Sequence, residues 1–283
     1  MNGLIAYEGP SRIDGAPIVV ILTALNGSMN QKTGHMVQSY IMRADLDPVK
    51  AAAAGADTSI CGQCEHRPKL AKKTGRAPCY VNLGHGPLGV FKAYKRGTYP
   101  RIDPDTAAAL LTARKLRIGS YGDPAAAPVE LWETLTRHTR GHTGYSHQWK
   151  ARDFDAARWA RLVMASADSI DDAALANLSG LRAFRVSTGP DRQPGETICP
   201  ASAEAGRRTT CAECNLCNGT TSTAASEGTV TSKLIQSRPT LRPAEPRDLP
   251  AIVQLISELA EFENLSHLLE VTPESLAPHL PTR

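Results

Sequence analysis

The chain has no run of eighteen apolar residues, so no membrane-spanning helix is implied. It has no repeat at a fixed period, which argues against a solenoid or propeller. Met1 to Ala6 carry neither a basic n-region nor an apolar h-region, so a secretory signal is not expected there. The seven cysteines are odd in number, so they cannot all pair within one chain. Together these absences point to a cytoplasmic protein with reduced thiols. In that setting thiols meet metals before they meet each other.

Charge of one sign is missing over a long stretch. From His66 to Ile102 there are nine Lys or Arg and no Asp or Glu, against a net charge of +4 for the whole chain. Segment 67–101 is therefore a candidate surface for nucleic acid or a nucleotide, or else a solvated face beside a metal loop. From Thr229 onward the balance reverses, with five basic and seven acidic residues. The segment NGSMNQKTGH lacks a glycine directly before Lys32, where Gln31 stands instead, so it fails as a phosphate loop. Its setting between two apolar segments reads as a hairpin with a long polar loop.

What is present is a concentration of sulfur. Cys199, Cys211, Cys214 and Cys217 lie in CPASAEAGRRTTCAECNLC. Cys-x-x-Cys lets two thiolates approach one ion from a single turn, and a third cysteine two residues on with a distant fourth completes a four-thiolate shell. Zinc is the first expectation for the bound metal and a [4Fe–4S] cluster the alternative. A smaller echo is Cys61, Cys64 and Cys79, with His66 or His85 as a further ligand. The trio forms a second site, shares one site with the later cysteines, or is simply buried thiol.

The rest of the main region alternates strand-like and helix-like text. APIVVILTAL is a buried strand, and DPVKAAAA a helix capped by Asp47 with Pro48 in its first turn. CYVN, KLRIGSYGDP, GHTGYSHQW, VMASADS, LRAFRVS and ETICPAS read as strands separated by helices of about ten residues. The expected fold class is α/β: a partial (β/α) barrel-like or open parallel-sheet domain with cysteine-rich metal loops, followed by a small C-terminal α+β fragment. The expected domains are 1–217 for the metal-binding unit, 218–237 for a linker rich in Ser, Thr, Ala and Gly, and 238–283 for the terminal segment.

In such folds the active site lies past the C-terminal ends of the strands. His147 and Asp168 are the candidates for proton transfer, because histidine titrates near neutrality and a carboxylate can orient it. Tyr145 and Arg185 are the candidates for holding a polar or anionic ligand. The cysteine loop is expected over the same mouth. Each residue also has a plain structural reading, Asp168 as a helix-cap neighbour and the histidines as loop residues.

Residues 240–280 resemble the N-terminus of a GNAT-family acetyltransferase. The likeness rests on Leu241-Arg242-Pro243-Ala244, then Asp248-Leu249-Pro250 opening a helix with Ile252, Leu255, Ile256, Leu259 and Phe262 on one face. The glycine turn that binds acetyl-CoA in that family is absent from the sequence, so the resemblance implies shared ancestry rather than acetyl transfer. GAPIVVILTAL, CGQCEHR, GSYGDP, TGYSHQW, MASADS and CPASAEAG resemble a group of uncharacterised phage, prophage and plasmid proteins. The barrel-like rhythm with cysteine clusters is similar to radical-SAM enzymes, without their Cys-x3-Cys-x2-Cys signature. Three readings of function stand at this point: a thiolate-metal enzyme acting on nucleotides or nucleic acid, a non-catalytic zinc module binding nucleic acid, and a GNAT-type segment without its cofactor motif.

Overall fold

The computed structural model describes residues 2–28, 30–75, 79–187, 192–206, 208–219, 230–233, 244–262 and 270–279, with the side chains of 230–233, 258–262 and 279 outside that description. The chain divides into two compact units, Met1–Ile235 and Gln236–Arg283.

The first unit is α/β and built on one sheet. Its strands are β1 (Gly3–Pro10), β2 (Pro17–Thr23), β3 (Val37–Arg43), β4 (Lys115–Tyr121), β5 (Gly141–Ser146), β6 (Met164–Ala167), β7 (Ala183–Ser187), β8 (Thr197–Ile198) and β9 (Val230–Lys233). Their order is β1-β2-β3-β4-β5-β6-β7-β9-β8. The pairs β1/β2 and β2/β3 are antiparallel, and every other pair is parallel. Among the described residues no pairing joins the two ends, so the sheet is open and the barrel-like expectation gives way to its open alternative. A parallel pair needs a crossover, and the crossovers here are helical. Those after β3 are α1 (Pro48–Ala54), α2 (Thr58–Cys61), α3 (Pro68–Thr74), α4 (Gly86–Lys95) and α5 (Pro104–Leu110). Later ones are α6 (Val129–Thr136), α7 (Ala156–Trp159) and α8 (Ile170–Leu178), with α9 (Cys211–Cys214) beyond β8.

Local chemistry explains most of these limits. Asp47 accepts a hydrogen bond from the Lys50 amide at 2.9 Å, Pro48 opens α1, and Gly55 closes it in the left-handed region. Asp103 and Ser169 cap α5 and α8 in the same way. β2 reads as an unbroken apolar run because Ile18 to Leu22 are fully buried. They join Leu4, Ile41, Leu116, Ile118 and Trp132 in the main core, where Trp132 Nε1 donates to the Pro124 carbonyl at 2.9 Å.

Three segments depart from the sequence expectation. β1 was not foreseen: its second half, Tyr7-Glu8-Gly9-Pro10, is half exposed at the sheet edge and carries no apolar run. CYVN is irregular rather than a strand, for Cys79 donates its amide to His66 O at 2.7 Å instead of to a ladder. Within the expected linker, Val230–Lys233 pairs with β7 and β8. Most of the remaining linker, and the 241–243 part of the acetyltransferase-like strand, lie outside the described residues.

In the second unit residues 246–262 and 273–279 are helical. A capped turn at Glu245–Asp248 leads into α10 (Leu249–Phe262), as the Asp-Leu-Pro signal predicts. Ile252 and Ile256 are half-buried and Leu255 is exposed. Among the described residues of the whole chain, no helix is long and apolar enough to cross a membrane.

Candidate metal centre

The parallel strands β3 to β6 deliver their C-terminal ends to one mouth, and the loops that follow bring polar side chains together there. β4 ends in Tyr121-Gly122-Asp123. Gly122 has φ +81°, and a Cβ there would lie 2.6 Å from the Ile41 carbonyl oxygen, so only glycine lets β4 turn this close to β3. The turn aims Asp123 across the mouth. Its carboxylate accepts from Ser146 Oγ and the His147 amide, both at 2.7 Å, and from the Ala125 amide at 3.0 Å. Burial pushes the Asp123 carboxyl up, and those hydrogen bonds oppose it. Asp123 thereby fixes the backbone from which His147 projects. Replacing Asp123 by alanine leaves these donors without an acceptor and is expected to cost about 2–3 kcal/mol, read as a shift in the urea midpoint.

The first cysteine loop enters from the β3 side. Gly62, at φ +52°, sits against the Gln148 amide group, which leaves no room for a side chain in the Cys61–Cys64 turn. Gln148 Nε2 donates to Cys61 O at 3.1 Å, and Arg67 closes the loop with bonds to Gly55 O, Gly62 O and the buried Asp57 carboxylate, each at 2.8 Å. Held in this way, the loop presents Cys64 and His66 to the strands.

His66 Nε2 lies 2.9 Å from Asp168 Oδ1, and His147 Nε2 lies 3.5 Å from the same oxygen. Cys64 Sγ lies 3.8 Å from His147 Nε2. Among the described residues, His66, His147 and Asp168 form the set whose ligand atoms all lie within 4.8 Å of one another. The two neighbours of His147 matter for its role. A nucleophilic triad uses the two ring nitrogens separately, one toward the nucleophile and one toward the carboxylate. Here Cys64 and Asp168 both approach Nε2. The geometry is one of atoms converging on a point rather than a relay through the ring.

Electrostatics agrees with a site made for charge. Burial disfavours the imidazolium of His147, yet hydrogen bonding to Asp168 and Cys64 outweighs it and pushes its pKa up to about 10. Burial likewise opposes the Asp168 carboxylate, and the two histidines hold it well below the usual range. Burial pushes the Cys61 thiol well up, helped by Cys64 and Cys79, and takes the Cys79 thiol up to about 11. A cation entering this mouth must displace the proton of His147, whereas Asp168 already offers it a carboxylate.

The sequence-derived candidates thus divide. His147, Asp168, His66 and Cys64 meet at the mouth, with Cys61 and Cys79 beside them. His85 is exposed at the start of α4 and stands apart from the set. Arg185 is engaged by Glu196 through two bonds of 2.5 and 2.6 Å, both side chains being buried. Tyr145 points to the second cysteine group, its ring 4.4 Å from the Arg117 guanidinium and 4.5 Å from the Phe184 ring. Asp123, Ser146 and Gln148 build the mouth from positions next to the candidates; GSYGDP and YSHQW marked them as strand ends, and only the fold showed what they hold.

The second cysteine loop does not cover this mouth, contrary to expectation. Cys211 donates its amide to Lys32 O at 2.8 Å, Ala212 to Thr33 O at 3.2 Å, and Gly144 donates to Cys217 O at 3.0 Å. These contacts dock α9 against the polar loop between β2 and β3 and beside β5. The loop that fails as a phosphate cradle is instead a clasp, shaped by Asn30 Oδ1 accepting from the Lys32 and Thr33 amides at 2.9 Å. Cys199, Cys211, Cys214 and Cys217 line one small cavity there, with Thr143.

Beside this clasp, His142 contacts the Arg161 carbonyl through Nε2 at 3.1 Å, and burial pushes its pKa below 6.5 against that hydrogen bond. A histidine held neutral in the fold favours unfolding once the free imidazole protonates. Stability is therefore expected to fall as pH drops below 6.5. The His142→Gln variant should show a flatter acid limb in denaturant titrations across that range.

No family model, curated protein or solved structure matches this chain.

Proposed function

We propose that the Met1–Ile235 unit is a metal-dependent enzyme whose divalent ion is held by His66, His147 and Asp168 at the mouth of the sheet. The observation that carries this is the convergence of two imidazole nitrogens and one carboxylate oxygen within 4.8 Å, delivered by separate loops. Two histidines and a carboxylate are a ligand set of catalytic zinc sites, which keep a further position for water or substrate. In that role the bound ion lowers the pKa of water and polarises a substrate oxygen. The reaction class that fits is hydrolysis of a phosphate ester in a nucleotide or nucleic acid.

The basic segment supports an anionic substrate through part of its length. Arg67, Lys69, Lys95 and Arg101 bond to the protein itself. Lys72, Lys73, Lys92 and Arg96 are exposed, and the first two end α3, the helix that follows His66. With four of the nine cations occupied internally, the segment serves better as a rim for an enzyme than as a self-sufficient nucleic-acid module.

The test is metal content and turnover together. Purified protein is expected to carry zinc or another divalent transition metal, and to hydrolyse phosphate mono- or diesters. A chelator should remove the activity and metal should restore it. A divalent ion other than cluster iron that stays bound at the same stoichiometry and affinity after the His66→Ala/His147→Ala double change would overturn the assignment.

A further inference from the structure

We propose that Cys199, Cys211, Cys214 and Cys217 hold a [4Fe–4S] cluster, with the buried Arg117 guanidinium as its counter-cation. The proposal is independent of the mouth centre and rests on spacing and charge.

The four sulfurs belong together. They come from the end of β8, from both ends of α9 and from the turn after it, and all line one small cavity that admits a water-sized sphere. None is in a disulfide. They are too far apart for one zinc ion. At a zinc–sulfur distance of about 2.3 Å, tetrahedral thiolates lie about 3.8 Å from one another. No three of these cysteines have sulfurs mutually within 4.8 Å. A water-sized sphere also could not sit among sulfurs drawn in to a common ion, because the sulfurs themselves fill that space. In an iron–sulfur cluster each thiolate binds its own iron, so the sulfurs stand wider. Cys-x-x-Cys-x-x-Cys with a remote Cys-Pro is a spacing that such clusters accept.

Charge gives the second observation. Arg117 is 5% exposed, and among the described residues no carboxylate pairs with it. Its neighbours are the Tyr145 ring at 4.4 Å, Thr143 Oγ1 at 3.4 Å and the thiol of Cys211. A guanidinium taken from water needs a negative partner nearby. Four bound thiolates supply it. Tyr145 packs in one cluster with Cys199, Cys211 and Cys217, and Lys115 Nζ donates to the Ala212 carbonyl, so a hydroxyl-bearing ring and cations surround the group. Hydrogen bonds and charge around the sulfurs are what set a cluster's potential.

The test uses the full chain, purified without oxygen and, if colourless, incubated with ferrous iron and sulfide. The expected result is a brown protein with about four irons and four acid-labile sulfides per chain. The Cys211→Ala/Cys214→Ala variant should lose one cluster's worth of both. Arg117→Gln should retain the cluster with a lower midpoint potential, because the reduced form, which carries one more negative charge, loses more of the guanidinium's stabilisation than the oxidised form does, and Arg117→Lys should restore part of the shift. If Arg117→Gln does not fold, the lysine variant and the cysteine pair still decide. Colourless protein with zinc at these cysteines, failure to take up iron and sulfide, or unchanged iron in the cysteine variant would overturn the proposal. None of these measurements reads turnover, so their failure leaves the mouth centre untouched.

Discussion

Replacing Arg185 by alanine is expected to destabilise the first unit by about 3–5 kcal/mol, the cost of breaking a buried ion pair from one side. Arg185 lies in β7 with its side chain 2% exposed, and the Glu196 side chain that faces it is 5% exposed. The pair is bidentate, and Glu196 also accepts from the Gln193 amide at 2.9 Å. Removing the guanidinium strands a carboxylate in low dielectric. Arg185→Lys keeps the charge and loses the planar fork, so it should recover part of the loss. The paired Arg185→Ala/Glu196→Ala variant should be less destabilised than the sum of its singles, the signature of coupling. The check is urea denaturation of all four proteins. Equal effects from Arg185→Ala and an exposed control such as Arg152→Ala would show that the pair contributes nothing.

The second large effect concerns metal affinity at the mouth. Removing His147 or Asp168 is expected to weaken binding of a divalent ion by more than the 10–100-fold typical of an outer partner. Cys64→Ser should cost less, since Cys64 approaches His147 alone at 3.8 Å. His85→Ala should cost nothing, its side chain being exposed and outside the set. Competition titration against a chromogenic chelator measures the order. The order His147 and Asp168 first, Cys64 next and His85 last is the fingerprint of this geometry; a set built on the trio Cys61, Cys64 and Cys79 would put Cys64 first.

Much of the fold is legible in the residues, because the signals are local. Asp47-Pro48, Asp103-Pro104 and Ser169 announce helix starts, and each is seen capping its helix. The strand–helix rhythm gives an α/β unit with a mainly parallel sheet. What is not local is the place of β9: it lies between β7 and β8, paired with strands far back in the chain, and carries no long apolar run. At the mouth, His147 and Asp168 stand out as polar residues at strand ends. Their meeting with His66 depends on Gly62, Arg67 and Gln148 folding the first loop inward, contacts between segments far apart in the chain. Tyr145 and Arg185, chosen by the same strand-end rule, turn elsewhere. Tyr145 still lies within β5 whereas His147 stands past its end, and Arg185 is taken by Glu196, so position near a strand end does not by itself choose a shared site.

The clasp between the Asn30–Gly34 loop and α9 has a consequence for how the molecule is made. Lys32 leaves the ribosome early, whereas Cys211, which bonds to it, emerges only after every strand from β3 to β8. The polar hairpin must wait, unsatisfied, through most of synthesis, and joining it to α9 closes a very long loop of chain. Completion of the sulfur-lined cavity is therefore a late step in biogenesis, and a product cut short before Cys211 would leave Lys32 O and Thr33 O facing solvent with the sheet's inner arginine uncovered.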